Sequence, residues 1–105
     1  MRKIVLFTGF LLMATFVAGQ DIPFILMKAG SLTERGKNIE AIGLLSENIA
    51  RVNDSRLYIE RGNAYSDQKS YQLAESDYNS ANSLVPFSGS YGLARIFALQ
   101  GNATG

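Results

Sequence analysis

Few residues in this chain have the type and spacing to do chemistry. Ser66-Asp67-Gln68-Lys69 sets a serine three positions ahead of a lysine, a spacing at which an amine can activate a hydroxyl nucleophile. The tetrapeptide lies at the turn between two helical patterns and lacks the companion motifs of that chemistry, so it reads as a chance match. Residues 30–38, Gly-Ser-Leu-Thr-Glu-Arg-Gly-Lys-Asn, end in the Gly-Lys pair of a phosphate-binding loop. The interval between Gly30 and Gly36 is one residue too long for such a loop. Asn38 stands where a Ser or Thr would hold magnesium, and no strand pattern precedes the segment. It reads as a helix end and its turn. The chain has no histidine and no cysteine, which removes the commonest general base, the commonest metal ligand, thiolate chemistry and disulfides. The expectation is no enzyme, no metal site and no cofactor. Asn53-Asp54-Ser55 and Asn102-Ala103-Thr104 match the N-glycosylation acceptor pattern, which is short enough to arise by chance.

The elements that would position any of these residues must fit in 105 residues, at most one small domain with a modest core. Ten Lys and Arg oppose nine Asp and Glu. Two of the basic residues, Arg2 and Lys3, fall in a leader; without them the body is close to neutral, which argues against a nucleic-acid partner. In that leader, Met1-Arg2-Lys3 is followed by an uncharged apolar run over residues 4–19 that closes on Val17-Ala18-Gly19. This is the layout of a secretory signal peptide, with cleavage expected near Gly19 and Gln20. The rival is an uncleaved membrane anchor, for which the run is short of the roughly 20 apolar residues a bilayer core requires. The protein is therefore expected to be exported, to the periplasm or outside the cell, with membrane attachment only if the leader is retained. Without disulfides, an exported domain of this size must hold together by apolar packing.

Helical periodicity dominates the body. In residues 55–88, Tyr58, Gly62 and Tyr65 recur at spacings of four and three. After a polar break, Tyr71, Ala74, Tyr78, Ala81 and Leu84 follow at three and four, the one-face pattern of a second helix. Pro86 lies just beyond its end. Gly62, Ala74 and Ala81 allow the two helices to approach closely, and Tyr58, Tyr65, Tyr71 and Tyr78 are expected to fill the space around them. Upstream, Ala29, Leu32, Gly36, Ala41 and Leu45 each precede Gly62, Tyr65, Lys69, Ala74 and Tyr78 by 33 residues, with Asn48 near the place of Ala81. Downstream, Ala94, Phe97 and Gly101 follow Gly62, Tyr65 and Lys69 by 32. The helices are expected at about 21–35, 38–52, 55–68, 71–84 and 88–99. Asp21 is expected to cap the first and Gly36 to end it, and Ile42, Leu45, Ile49 and Val52 to form the apolar stripe of the second.

Residues 55–88 resemble a tetratricopeptide repeat. Tyr58, Gly62, Tyr65, Ala74, Tyr78, Ala81 and Pro86 meet the family pattern in order. Arg61, where the family often has Leu, and Lys69, where the turn usually has Gly, depart from it. The resemblance implies an all-α helix-turn-helix solenoid of about five helices. Its expected parts are a signal segment at 1–19, a degenerate helix pair at 20–54, the repeat at 55–88 and the first helix of an incomplete third repeat at 89–105. It also implies a protein or peptide partner held on the inner face of the stack, which here carries Arg56, Ile59, Asn63, Ser66, Asp67 and Arg95, with Leu26, Gly30 and Tyr91 as counterparts. Some members clamp a chaperone's C-terminal carboxylate with Lys, Asn and Arg on this face. Only Asn63 fits that set, since Ile59 and Glu60 stand where a Lys and a second Asn would be, so a chaperone partner is not implied. The leading expectation is an exported binding or scaffolding module. The alternative is the front of a longer, membrane-anchored repeat protein whose function lies beyond residue 105.

Overall fold

The computed structural model describes residues 21–101. The expected signal peptide, the last residues of the fifth helix's repeat and the acceptor Asn102 lie outside them. The chain is all-α: helices α1 (Ile22–Glu34), α2 (Asn38–Ile49), α3 (Ser55–Asp67), α4 (Tyr71–Leu84) and α5 (Ser90–Gly101). Each helix packs on the next through a short link, and α3 also touches α1 and α5. Among the described residues no helix is long and apolar enough to cross a membrane.

The helix ends follow from local chemistry. Pro23 lies in the first turn of α1, where its missing N–H costs nothing. Asp21 occupies the N-cap position, but its side chain makes no capping hydrogen bond, so the expected cap is supplied only through its backbone carbonyl, which accepts from Ile25 N at 2.9 Å. At the other end Gly36 takes φ +78°, and Lys37 N donates back to Leu32 O at 2.8 Å, the αL helix stop that favours glycine. The end of α3 repeats this geometry. Ser70 N donates to Tyr65 O at 2.8 Å, and Lys69 takes φ +64°, the strained conformation that a Gly would adopt freely. Asp54 caps α3, its Oδ1 accepting from Arg56 N at 2.9 Å. Beyond α4, Val85 is extended, Ser88 Oγ donates to Ala81 O at 2.9 Å, and Gly89 N donates to Asn82 Oδ1 at 2.6 Å.

Two apolar clusters form the core. Ile22, Ile25 and Ala29 of α1 meet Leu45 of α2 and Leu57 of α3. Ala74 and Tyr78 of α4 meet Ile96 of α5, with Ile59 and Tyr65 of α3 packed against them. A polar strap joins the two. The Arg61 guanidinium of α3 donates from Nε and Nη2 to both carboxylate oxygens of Asp77 on α4, each at 2.8 Å. Its Nη1 donates to Ser46 Oγ of α2 at 2.9 Å. Tyr58 and Tyr65 flank the same guanidinium, 5.9 and 5.7 Å from ring centroid to Cζ, within cation–π range.

Several packing expectations are corrected here. Of the four tyrosines expected in the core, Tyr78 is fully buried, Tyr65 and Tyr71 are half-buried and packed against the second cluster, and Tyr58 is half-buried outside both clusters. Tyr58 turns its hydroxyl outward to Asn53 Oδ1. Of the expected Ile42–Leu45–Ile49–Val52 stripe, Leu45 is fully buried and Ile49 and Val52 pack against the first cluster; the buried edge of α2 also takes in Ala41 and Asn48, and the helix stops short of Val52. Asn48 is tolerated inside because its Nδ2 donates to Leu44 O at 2.8 Å. α5 begins and ends two residues later than expected. Ala94 and Phe97 are exposed on it, unlike their counterparts on α3, because no described helix lies over that face.

Ala74 sits at zero exposure between α4 and its neighbours. Ala74→Leu is expected to overpack this contact and cost about 1–3 kcal/mol, read as a shift in the urea unfolding midpoint.

Candidate functional site

Helix periodicity decides which side chains of α3 share a face. Ile59, Asn63 and Asp67 are spaced by four and line up along one side. On α5, Tyr91 and Arg95 are spaced by four as well, each 32 residues beyond Ile59 and Asn63. Where α3 and α5 meet, these five side chains, with Tyr78, Ser88 and Gly92, line an open groove of about 350 Å³. A broader depression, lined by Gln72, Glu75, Ser76, Asn79, Ser80 and Ser83, is the polar outer surface of α4 alone and has no second wall.

The floor of the α3–α5 groove is built around Tyr78. Its ring is buried against two glycines: a methyl group at Gly62 would stand 2.8 Å from ring Cε1, and one at Gly92 would overlap the ring outright. Its hydroxyl donates to Asn63 Oδ1 at 2.6 Å. That bond orients the Asn63 amide and leaves its NH₂ as a donor in the groove. The wall is apolar at Ile59 and aromatic at Tyr91, which is 81% exposed. At the mouth, Arg95 Nη2 lies 3.9 Å from Asp67 Oδ1, a long, half-solvated pair worth about 0–1 kcal/mol.

Burial pushes the Tyr78 hydroxyl up to about 12, with Arg95 acting in the opposite direction. An unfolded tyrosine ionises near pH 10. The unfolded chain therefore loses this proton first. The stability held by neutral Tyr78 is intact below about pH 10 and is lost as pH rises through about 12. In urea titrations followed by circular dichroism, the parent is expected to lose stability across this window more steeply than Tyr78→Phe, which has no proton to lose.

Of the six inner-face residues expected from the sequence, four meet here: Ile59, Asn63, Asp67 and Arg95. Arg56 is exposed and folded back on the Asp54 carboxylate, with Nε at 3.0 Å and Nη2 at 2.8 Å; it holds Asp54 below the usual carboxylate range and does not reach the groove. Ser66 is buried, 4% exposed, and its hydroxyl has no hydrogen-bond partner among the described residues. Lys69, its partner in the apparent nucleophile motif, sits in the turn after α3. Tyr78, Ser88 and Gly92 join the groove without having been expected there. Tyr78 is legible only as a packing residue, and Ser88 and Gly92 carry no local signal. Among the described residues no group of three or more acidic side chains could hold a metal ion. Comparison of the chain with protein families, with curated proteins and with solved structures finds no match in any of the three.

Proposed function

We propose that the chain is an exported tetratricopeptide-like module that binds a protein or peptide segment in the groove between α3 and α5 and performs no catalysis. The observation that carries this reading is the pairing of Ile59 with Tyr91 and of Asn63 with Arg95. Equivalent positions 32 residues apart converge on one groove, as neighbouring units of a helical solenoid would present them. The all-α architecture, the matching αL turns at Gly36 and Lys69 and the close approach of helices at Gly62 support the same reading. The groove is mixed in character, with an apolar wall, an amide donor and charges at its mouth. That composition suits an extended segment, which offers backbone carbonyls to Asn63 and side chains to Ile59 and Tyr91. Export rests on the leader sequence, and the N-terminal mass of the protein recovered outside the cytoplasm tests it.

The groove is tested with an immobilised library of end-blocked peptides. Asn63→Ala is expected to weaken the peptides the parent retains by about two- to tenfold, the scale of one hydrogen bond. Ser83→Ala, on the outer surface of α4, is expected to change nothing. If the two variants behave alike, Asn63 is not in the site.

A further inference from the structure

The charges around the groove do not balance, and the surplus is negative. Glu60 lies one turn ahead of Asn63 on α3, and Asp67 lies one turn after it. The two carboxylates share a side of the helix, about 10 Å apart along its axis. Asp67 has a loose partner in Arg95. Glu60 makes no hydrogen bond or ion pair with any described residue. It is half-buried, and burial, helped by the Asp67 carboxylate, pushes its own carboxyl above the usual range. The field of Glu60 also reaches the Tyr78 hydroxyl on the groove floor.

The cations of α3 and α5, the two helices that wall the groove, are already engaged. On α3, Arg56 is held by Asp54 and Arg61 by Asp77 and Ser46. On α5, Arg95 is already beside Asp67. Across the groove from α3 stands the exposed ring of Tyr91, whose π face attracts a cation. Asp67 in the groove, with Glu60 one turn before Asn63 on the same side of α3, outweighs Arg95 in charge opposite an open aromatic face, which makes this end of the groove a seat for a positive charge.

We infer that the groove selects a cationic segment: an extended peptide that sets a Lys or Arg against Glu60 and an apolar side chain, within about three residues of it, between Ile59 and Tyr91. Segments carrying Glu or Asp at the same place are rejected by the same charges. This specificity rests on the α3–α5 groove being the binding site.

The test uses the full chain and three fluorescein-labelled, end-blocked octapeptides that share one leucine and carry Lys, Gln or Glu three residues before it, with affinity read by fluorescence anisotropy. The lysine peptide is expected to bind about five- to tenfold more tightly than the glutamate peptide, and this preference to shrink as salt rises from 50 to 500 mM. Glu60→Gln should remove most of the preference and Asp67→Asn part of it, with each variant checked for parental helicity by circular dichroism. Equal binding of the three peptides, with binding still lost in Asn63→Ala, overturns the charge selection and leaves the groove standing. A preference that survives Glu60→Gln also overturns it. Binding of no peptide, or binding indifferent to Asn63→Ala, overturns the groove reading and this inference together.

Discussion

Asp77→Ala is expected to lower the stability of the folded chain by about 3–5 kcal/mol, the cost of leaving a buried charge without its partner. The Asp77 side chain is 4% exposed and that of Arg61 20%, and both carboxylate oxygens are used by the one guanidinium. Removing the carboxylate strands Arg61 between α2, α3 and α4 with only Ser46 and two tyrosine rings to answer its charge. A domain of this size has about 5–15 kcal/mol in total, so the single variant should melt close to ambient temperature. The double variant Arg61→Leu with Asp77→Ala should regain part of the loss, because an apolar side chain, although shorter than arginine, needs no partner. Urea midpoints for the parent, the two single variants and the double variant form a cycle. Additive losses in the double variant would show that the pair does not act as a unit. Asp54→Ala is the surface comparison: it removes an exposed ion pair and a helix cap, and should cost only about 1 kcal/mol.

The same ion pair shows where the sequence stops being legible. Arg61 stands out in sequence as a departure within an apolar pattern. Nothing local points to Asp77, which is 16 residues away on a helix of mixed polarity. A buried pair between helices has no periodicity. Leu57 was equally hidden. It is fully buried beside Tyr58, and which of two adjacent residues faces inward depends on how the preceding helix pair approaches α3. Helix ends were legible because their causes are local. Gly36, the turn at Lys69 and the proline after α4 each act through a few bonds, and α4 runs over the expected residues. In the groove, the spacing of four along α3 separates true neighbours from false ones. Asp67 lies one turn from Asn63 on the same side. Ser66, one position earlier, is rotated by about 100° and is buried against the body of the fold. Arg56 shares the periodicity, but its charge is spent on the cap residue two positions before it.

Gly89→Ala is expected to cost about 3 kcal/mol, the top of the range for overpacking, although a single methyl group is added. The methyl would overlap the backbone carbonyl of Tyr78, and backbone inside α4 cannot swing aside as a side-chain tip can. Gly92→Ala meets the Tyr78 ring, which is fully buried and also has Gly62 of α3 packed against it. Any accommodation must push α5 away from α4 and open the groove whose floor that ring forms. Loss of stability and loss of peptide binding should therefore appear together in both variants. Gly43 is the control. It lies within α2, is exposed, and a methyl there meets nothing within 4 Å. Gly43→Ala should raise stability by about 0.5–1 kcal/mol through helix propensity and a less flexible unfolded chain. Opposite shifts of the urea midpoint for the same chemical change would show that Gly89 and Gly92 set how closely α5 approaches α4, and equal shifts would sink that conclusion.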